Sequence, residues 1–371
     1  MIRITRKALA LAWLCPLGAV LGEPPRELRT RRVVLITVDG LRHQELFGGL
    51  EPRMLEDKKR SGIEDVERLR SLYLRPTARE RREALLPFFW KTFAPRGVVL
   101  GNKARGSRAL LRNRRRFSYP GYAELLTGAP QDTITSNAKV RLPRPSFLEF
   151  VRTKLRLPRE KVALFASWDV FSWIASQQKD AVFTNAGYEA MPSELSSPEM
   201  ARLSRLQFSL LTPWDTVRHD TVTAELALGY LERLRPRLLY LALGETDDWA
   251  HERRYDRVLA AARLFDETLE RTWKTLESME TYRGRTTIII TTDHGRGSTL
   301  DDWTDHGEKV PDAEDIWIAV AGPDTPPRGE AADVPRVHLG DVAATVLVLL
   351  GLDPQEFNPA AGPPIPLAFQ K

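Results

Sequence analysis

The sequence predicts an α/β protein with a doubly wound, mostly parallel central sheet and helices on both faces. Apolar, β-branched runs without polar alternation are typical of interior parallel strands, and stretches with helical periodicity separate them along the chain. The clearest run ends at Thr291 and is followed by Asp293-His294-Gly295. Six strands are predicted, at 33–38, 98–101, 161–167, 237–243, 287–291 and 316–321. Their alternation with helices favours one large domain.

The first 22 residues have the organisation of a secretory signal peptide. Basic residues precede an apolar run from Ala8 to Leu21, which is short for a membrane span. We therefore predict a signal peptide over 1–22 and one mature α/β domain over 23–371, located in the periplasm or secreted. Retention of the segment as an uncleaved anchor is the alternative. No later segment is long and apolar enough to cross a bilayer, so no stable membrane span is expected after cleavage.

Cysteine and charge limit the kinds of site that the mature chain can build. Cys15 is the only cysteine, so cleavage near Gly22 leaves a chain without disulfides. A metal site in that chain must consist of histidines and carboxylates. The predicted signal carries three positive and no negative charges, so cleavage lowers the formal net charge from +6 to +3. A charge this small does not argue for nucleic acid as a partner.

Charged segments lie between the predicted strands. The stretch 50–97 reads as a helical insertion, with solvated helices over 53–82 and an amphipathic stretch over 83–93. Further helices are predicted at 146–155, 214–234, 255–279 and 338–350. The strongly basic segment 102–116 is interpreted as a solvated loop or strand edge. A positive field that attracts an anionic substrate is the alternative.

A short helix is predicted to begin near Ser118. Pro120 suits the first turn of a helix, and Gly128 suits its C-terminal cap. The field at a helix N-terminus stabilises an anion, so the hydroxyl of Ser118 is a candidate nucleophile. A serine in this position is also a common capping residue, and that structural interpretation remains open.

Acidic and imidazole side chains follow three of the predicted strands. In open parallel sheets, ligands bind beyond the carboxyl ends of the strands. Asp247 and His251 are four residues apart, so one helical turn places both on one face. The candidate ligands, besides Ser118, are Asp39, Asp247, His251, Asp293, His294 and His306. The remaining histidines lack an acidic partner after a strand and are interpreted as structural: His43, His219 and His338.

Three histidines, three aspartates and a serine suffice for two metal ions that share a reactive centre. Two cations about 4 Å apart can hold the attacking and the leaving oxygen of an in-line displacement at phosphorus. Coordination would also lower the pKa of the Ser118 hydroxyl and make it a nucleophile at neutral pH. Imidazole and carboxylate together suit Zn²⁺ better than Mg²⁺ or Ca²⁺. We therefore expect two Zn²⁺, with Mn²⁺ or another divalent ion as the alternative.

The order of these motifs resembles the alkaline phosphatase superfamily, and most closely its nucleotide pyrophosphatase/phosphodiesterase-like branch. The motifs are Asp39, Ser118-x-Pro120, Asp247-x-x-x-His251, Asp293-His294-Gly295 and His306. The resemblance extends over 33–352, and the segment 340–351 is similar to the last helix of that fold. It implies an alkaline phosphatase-like catalytic domain over 23–371.

The resemblance also implies a role for each matching residue. One zinc would be held by Asp247, His251 and His306, and the other by Asp39, Ser118, Asp293 and His294, with Ser118 as the nucleophile. Asn137 matches an asparagine that binds the phosphoryl oxygen of the substrate. Lys139 and Arg141 are further candidates for a phosphate contact, with exposed loop charges as the alternative interpretation. The expected partner is a small-molecule phosphate ester.

The chain departs from the family pattern in two places. Phosphodiesterases of the branch place Thr at the nucleophile and Asn three residues later, where this chain has Ser118 and Gly121. Sulfatases of the superfamily require Arg where this chain has Tyr122, which counts against a sulfatase. The leading hypothesis is thus a secreted or periplasmic two-zinc hydrolase of phosphate mono- or diesters that forms a covalent phospho-enzyme. A sulfatase or phosphonate hydrolase on the same metals is one alternative, and a metal-retaining surface binding protein is another.

Overall fold

The computed structural model describes residues 27–370, so the predicted signal peptide and Cys15 lie outside the described residues. The strands are β1 (Arg32–Val38), β2 (Gly97–Leu100), β3 (Ala109–Leu110), β4 (Val162–Ala166), β5 (Phe183–Ala186), β6 (Leu238–Leu243), β7 (Thr286–Thr291), β8 (Asp315–Ile316), β9 (Ile318–Ala321), β10 (Gly329–Glu330) and β11 (Val337–His338). Eight of them form the main sheet in the order β10-β2-β9-β7-β1-β6-β4-β5, and β11-β3-β8 form a small second sheet. The main sheet is parallel except where β9 pairs antiparallel with β2 and β7. The predicted fold class is therefore confirmed.

Helices cover both faces of the main sheet. They are α1 (His43–Gly48), α2 (Pro52–Glu56), α3 (Lys58–Ser61), α4 (Val66–Tyr73), α5 (Ala78–Leu85), α6 (Ser118–Thr127), α7 (Phe147–Lys154), α8 (Phe171–Ile174), α9 (Pro198–Leu206), α10 (Asp220–Leu234), α11 (Glu245–His251), α12 (Tyr255–Ser278), α13 (Asp341–Leu349) and α14 (Pro354–Phe357). Among the described residues, no helix combines the length and the apolar character that a bilayer span requires.

The core forms two apolar layers, one on each face of the sheet. Successive side chains of a strand point to opposite faces, and in β1 they divide accordingly. Val34 and Ile36 pack in the layer with α10, α12 and the charged insertion, whereas Val33 and Leu35 pack in the layer with α6, α7 and α13. All four side chains are buried. The unbroken apolar run of β1 is thus explained by burial on both faces.

Two predicted elements are shorter than the sequence pattern indicates. The helix expected over 214–234 begins only at Asp220, because the residues before it are extended and Val217 forms a β-bridge with Trp168. The strand expected over 316–321 is divided at Trp317, with one part in each sheet. The strands β3, β5, β10 and β11 have no counterpart in the prediction. Three of these consist of only two residues, too short to show a period.

The basic segment 102–116 is largely neutralised by acids from other segments. Arg108 pairs with Asp315 at 2.8 Å, and Arg116 contacts Glu314 at 2.5 Å. The other ion pairs of this segment are Lys103 with Asp312 and Asp315, Arg105 with Glu330, and Arg112 with Asp341. These contacts support the structural interpretation of the segment over a free positive field.

Candidate metal centre

The candidate ligands meet because their strands are neighbours in the sheet. β7, β1 and β6 lie side by side and run parallel, so their carboxyl ends share one edge. Asp39 follows β1, Asp293 and His294 follow β7, and α11, which carries Asp247 and His251, follows β6. Segments far apart in the chain are therefore brought together by strand order alone.

The first group consists of Asp39, Asp293 and His294, all buried. The Nε2 atom of His294 lies 3.4 Å from Asp39 Oδ1 and 3.5 Å from Asp293 Oδ2. The Oγ atom of Ser118 lies 3.4 Å from the same Nε2 atom. The resemblance assigns four residues to one zinc ion, and all four surround one point: Asp39, Ser118, Asp293 and His294.

The second group is centred on Asp247. His251 Nε2 lies 3.0 Å from Asp247 Oδ2 and 3.1 Å from His306 Nε2, so the three predicted ligands converge. His294 approaches this group as well, since its Nε2 atom is 3.5 Å from Asp247 Oδ1. Asp247, His294 and His306 therefore form a second set of ligand atoms within 4.8 Å of one another. His294 thus belongs to the first group and also approaches the second.

Two observations test whether these residues fit metal ions. Donor atoms on a tetrahedral zinc at about 2.0–2.1 Å stand roughly 3.3–3.5 Å apart, which matches the separations around His294 Nε2. In addition, Asp39 Oδ1 and Asp293 Oδ2 are buried and have no hydrogen-bond partner among the described residues. A buried carboxylate oxygen without a donor is costly unless a cation satisfies it. The residues therefore fit divalent ions.

Hydrogen bonds outside the two groups orient their members. The Nδ1 atom of His294 lies 3.0 Å from the carbonyl oxygen of Gly295, so Nδ1 donates and Nε2 remains free as a ligand. The hydroxyl of Tyr122 donates to Asp39 Oδ2 at 2.8 Å. The main-chain N–H of Gly40 donates to Asp293 Oδ1 at 3.1 Å. Each carboxylate thus has one oxygen held by the protein and one left for a metal.

The electrostatics of the site differ between its carboxylates. Burial raises the pKa of Asp39 and of Asp293 well above their ordinary values, and a neighbouring aspartate charge adds to the rise in each. Burial would also raise the pKa of Asp247, but the charges of Arg296 and His251 outweigh it and hold that pKa well below the ordinary value. Burial lowers the pKa of His306 to about 2, so its imidazole is neutral. A bound cation would stabilise the charged forms of the Asp39 and Asp293 carboxylates, which burial disfavours.

Ser118 is the first residue of α6, after an extended Phe117. Close packing fixes the start of this helix, because a Cβ atom at Gly121 would lie 2.3 Å from the carbonyl oxygen of Asp293. The family pattern has Asn where this chain has Gly121. The glycine allows α6 to contact the segment after β7 directly. Gly128 ends the helix with φ of 79°, as predicted for its cap.

A cavity of about 340 Å³ opens onto the two groups. Ser118 and the ligands Asp39, Asp247, His251 and His306 form its base. Its walls are Asn137, Trp168, Thr216, Val217, Gly244 and Asp248. We call this space the catalytic cavity.

The two predicted phosphate-binding residues differ in position. Asn137 lines the catalytic cavity, and its Oδ1 atom accepts the main-chain N–H of Tyr119 at 3.0 Å. The amide nitrogen of Asn137 is thereby directed away from the helix and remains a donor. Lys139 lies instead in a neighbouring cavity, where its Nζ atom pairs with Asp169 at 2.7 Å. Its role as a phosphate ligand stays a prediction.

The sequence interpretation missed several residues of the site. Arg296 is fully buried and contacts Asp247. Its position directly after Asp293-His294-Gly295 is the only feature of the sequence that indicates a place in the site. In the sequence, Tyr122 is distinguished only by its departure from the sulfatase pattern. The expectation that His219 lacks an acidic partner is wrong, because its Nδ1 atom lies 2.9 Å from Glu245 Oε1 at the start of α11, whereas its structural role stays a prediction. That contact arises from strand order and could not be read from spacing.

Sequence comparison finds a family model that is similar to part of the chain. Residues 216–354 match the model of the Metalloenzyme superfamily. The matched segment includes five candidate ligands, Asp247, His251, Asp293, His294 and His306. No curated protein matches the chain.

Solved structures show the same architecture over most of the chain. Wild-type alkaline phosphatase PafA superposes with a TM-score of 0.58 at 10% identity, covering 93% of this chain and 99% of its own. A 2-O GAG sulfatase gives 0.56 at 14% identity, covering 89% of this chain and 72% of its own. A phosphonate monoester hydrolase from Silicibacter pomeroyi gives 0.52 at 17% identity, covering 91% and 76%.

These likenesses define the fold as alkaline phosphatase-like. Residues 216–354 are in addition similar to the Metalloenzyme superfamily. The nucleotide pyrophosphatase/phosphodiesterase-like branch is not distinguished from the others. Because the three similar structures are a phosphatase, a sulfatase and a phosphonate hydrolase, the fold does not determine the substrate.

Proposed function

We propose that this protein is a two-metal hydrolase of phosphate esters with Ser118 as its nucleophile. One observation carries the proposal: the Oγ atom of Ser118 lies 3.4 Å from His294 Nε2, beside carboxylate oxygens that lack a hydrogen-bond partner. The hydroxyl also stands at the first residue of α6, where the helix dipole favours an oxyanion. A capping serine would bond to main-chain N–H groups of its own helix, and Ser118 makes no such bond among the described contacts.

The reaction follows from the placement of these groups. Two ions would be held by Asp39, Asp293 and His294 with Ser118, and by Asp247, His251 and His306. When bound, they would neutralise phosphoryl oxygens and lower the pKa of a bound hydroxyl. Ser118 Oγ forms a bond to phosphorus as the bond to the leaving oxygen breaks, and the hydroxyl proton passes to the leaving alcohol. Water then hydrolyses the phosphoserine, which restores the Ser118 hydroxyl and releases phosphate from a monoester substrate or a phosphate monoester from a diester. The amide of Asn137 donates to a phosphoryl oxygen throughout.

Zinc is the proposed metal, and Mn²⁺ or another divalent ion is the alternative. The ligand atoms are imidazole nitrogens and carboxylate oxygens, a mixture that suits Zn²⁺ better than the all-oxygen sites of Ca²⁺ or Mg²⁺. No cysteine is available in the described residues, so sulfur ligands do not contribute.

Within this class, we propose the nucleotide pyrophosphatase/phosphodiesterase-like branch. The support is Asn137, which matches the asparagine of that branch and lines the wall of the catalytic cavity. A sulfatase on the same metals is disfavoured because Tyr122, where that pattern requires Arg, donates to Asp39 inside the site. A phosphonate hydrolase and a metal-retaining binding protein remain as outcomes of the test.

The test is hydrolysis of p-nitrophenyl phosphate, bis-p-nitrophenyl phosphate and p-nitrophenyl sulfate by purified protein, with and without added Zn²⁺. Zinc-dependent hydrolysis of either phosphate ester is expected, and the preferred one assigns the monoesterase or diesterase activity. Hydrolysis of the sulfate alone would establish the sulfatase. Two bound metals without hydrolysis of any ester, including p-nitrophenyl phenylphosphonate, would favour the binding protein.

We further propose that residues 1–22 direct the chain to the periplasm or outside the cell. The order of basic, apolar and small residues supports this location. Amino-terminal sequencing of the protein recovered from cell fractions tests it. A start near Glu23 in the periplasm or medium is expected, whereas an intact Met1 in the membrane fraction would indicate an anchor.

A further inference from the structure

A second cavity of about 320 Å³ lies beside the catalytic cavity, and we call it the outer subsite. It is lined by Lys139, Asp169, Ser172, Trp173, Ala186, Tyr188, Glu189 and Asp215. Three chain segments contribute to both spaces, since Asn137, Trp168 and Thr216 line the catalytic cavity close to Lys139, Asp169 and Asp215. The two spaces therefore lie next to each other on the same three chain segments. A substrate whose phosphate lies at Ser118 would extend its organic group in this direction.

Charge in the outer subsite excludes a second anionic group. Three carboxylates, from Asp169, Glu189 and Asp215, face one ammonium group, and that ammonium already pairs with Asp169 at 2.7 Å. A diphosphate, a sulfate or a second phosphate would meet uncompensated negative charge. Small polyanions are therefore not the ligands of this cavity.

The positions that a cation would occupy are already filled by protein cations. The Lys139 ammonium holds Asp169, and the guanidinium of Arg141 stands 5.4 Å from the ring centre of Trp173. The carboxylate of Glu189 accepts hydrogen bonds from the Ser172 hydroxyl and from a main-chain N–H. Only the exposed Asp215 carries a free charge, which water screens. A quaternary ammonium group would thus compete with cations that belong to the chain.

The remaining features fit a neutral ligand that carries several hydroxyl groups. Trp173 remains 41% exposed with Arg141 against its ring, and this remaining aromatic surface is offered to the C–H side of a sugar ring. The exposed carboxylate of Asp215 can accept hydrogen bonds from a ligand, and Lys139 retains further N–H donors. Donors and acceptors on adjacent protein groups match adjacent hydroxyls, each of which donates and accepts. The combination of an aromatic face with a few directed polar groups is typical of small-molecule sites.

We propose that the outer subsite binds a neutral polyhydroxylated group, the size of one sugar ring, that forms the organic part of the phosphate ester. The inference rests on the proposed function for the placement of the phosphate. It narrows the substrate class to phosphorylated sugars or sugar-like polyols. Nucleotides with two or more phosphates and phosphocholine are disfavoured.

Steady-state kinetics test the contribution of the subsite to specificity. Glucose 6-phosphate, galactose 6-phosphate and mannose 6-phosphate are compared with ethyl phosphate, which has the ester but no sugar. We expect kcat/KM for at least one sugar phosphate to exceed that for ethyl phosphate at least about tenfold. In Trp173→Ala this ratio should fall towards one. Phe208→Ala removes an aromatic side chain that is 53% exposed and outside the cavity, and it should keep the wild-type ratio.

Binding of unphosphorylated ligands tests the subsite without turnover. Saturation-transfer NMR is performed with the methyl glycosides of glucose, galactose and mannose, with choline, and with inorganic phosphate. We expect a signal from at least one glycoside in the wild type and in Phe208→Ala, and its loss in Trp173→Ala. No signal from any glycoside, a Trp173-dependent signal from choline, or a sugar preference unchanged in Trp173→Ala would overturn the proposal.

The two experiments separate failure of the subsite from failure of the proposed function. Hydrolysis of ethyl phosphate without a sugar preference would leave the hydrolase intact and reject the subsite. Trp173-dependent glycoside binding without hydrolysis of any phosphate ester would reject the hydrolase and retain the subsite.

Discussion

The guanidinium of Arg296 donates from its Nη2 atom to the main-chain carbonyl of Asp247 at 3.0 Å and also to Oδ1 of the same residue. Its Nη1 atom donates to the carbonyl oxygen of Thr304. Arg296 is 1% exposed and thus joins three segments that carry ligands: α11, the residues after β7 and the loop before His306. A single buried cation sets the relative position of the second ligand group.

Replacement of Arg296 by methionine should therefore weaken the second metal without removing a ligand. The loss of residues that orient metal ligands typically costs 10–100-fold in metal affinity, and a similar loss of zinc affinity is expected for one of two bound ions. Isothermal titration with Zn²⁺, with unfolding followed by circular dichroism, measures this. Arg257→Met, at an exposed cation on α12, is the matched control. Unchanged affinity for both ions in a folded Arg296→Met would contradict the role.

Much of the fold and the site was predictable from local sequence. Runs such as that of β1 identify parallel strands because burial on both faces excludes polar residues, and residues at the carboxyl ends of such strands must share an edge. The convergence of Asp39 with Asp293 follows from this rule alone. Neighbouring β7 and β1 bring Asp39 and Asp293 together although 254 positions separate them in the chain.

The remaining features depend on contacts that local pattern does not encode. The segment before Asp220 has helical spacing, but its pairing with Trp168 holds it extended along the cavity wall. The ion pair of Lys139 with Asp169 is a further contact that the local sequence does not indicate, and the role of Lys139 as a phosphate ligand stays a prediction. Arg296 differs from an ordinary surface arginine only in its tertiary surroundings. Each case is a long-range interaction that overrides or adds to a local preference.

Replacement of Ser118 by alanine should abolish hydrolysis and leave both metals bound. The alcohol oxygen is the proposed attacking atom, and its loss should reduce kcat at least about 1,000-fold. Six other ligand residues remain, so the zinc content of the purified variant, measured by mass spectrometry, should stay at two per chain. Ser136→Ala, which removes an exposed hydroxyl near Asn137, is the control and should remain active. Activity of Ser118→Ala close to that of the wild type would disprove the nucleophile assignment.

Replacement of His306 by alanine should reduce the metal content from two ions to one. His306 belongs only to the group around Asp247, whereas the atoms of Asp39, Asp293 and His294 are unaffected. Metal content after dialysis against a weak chelator measures the loss. His338→Ala changes a histidine that contacts Arg112 and Asp341 instead, and both metals should remain. Two tightly held ions in His306→Ala would remove this residue from the ligand set.

Asp266 makes stability pH-dependent at a point remote from the metals. Its side chain, on α12, is 1% exposed and accepts the main-chain N–H groups of Phe88 and Phe89 at 3.0 and 2.7 Å. Burial raises its pKa from 3.8 to about 6, although these hydrogen bonds lower it in part. Because the folded state binds this proton more tightly than the unfolded state, the contribution of Asp266 to stability decreases as the pH rises through this window.

Asp266→Asn removes this titration and isolates its contribution. Relative to the variant, the free energy of unfolding of the wild type should fall by about 2 kcal/mol between pH 4 and pH 7. Urea unfolding of both proteins at several pH values measures the difference, and a parallel series in EDTA excludes a contribution from metal binding. A difference that is constant with pH, or that grows in favour of the wild type, would show that the buried carboxylate is already ionised at pH 4. In that case the two N–H donors would stabilise the charge more strongly than burial opposes it.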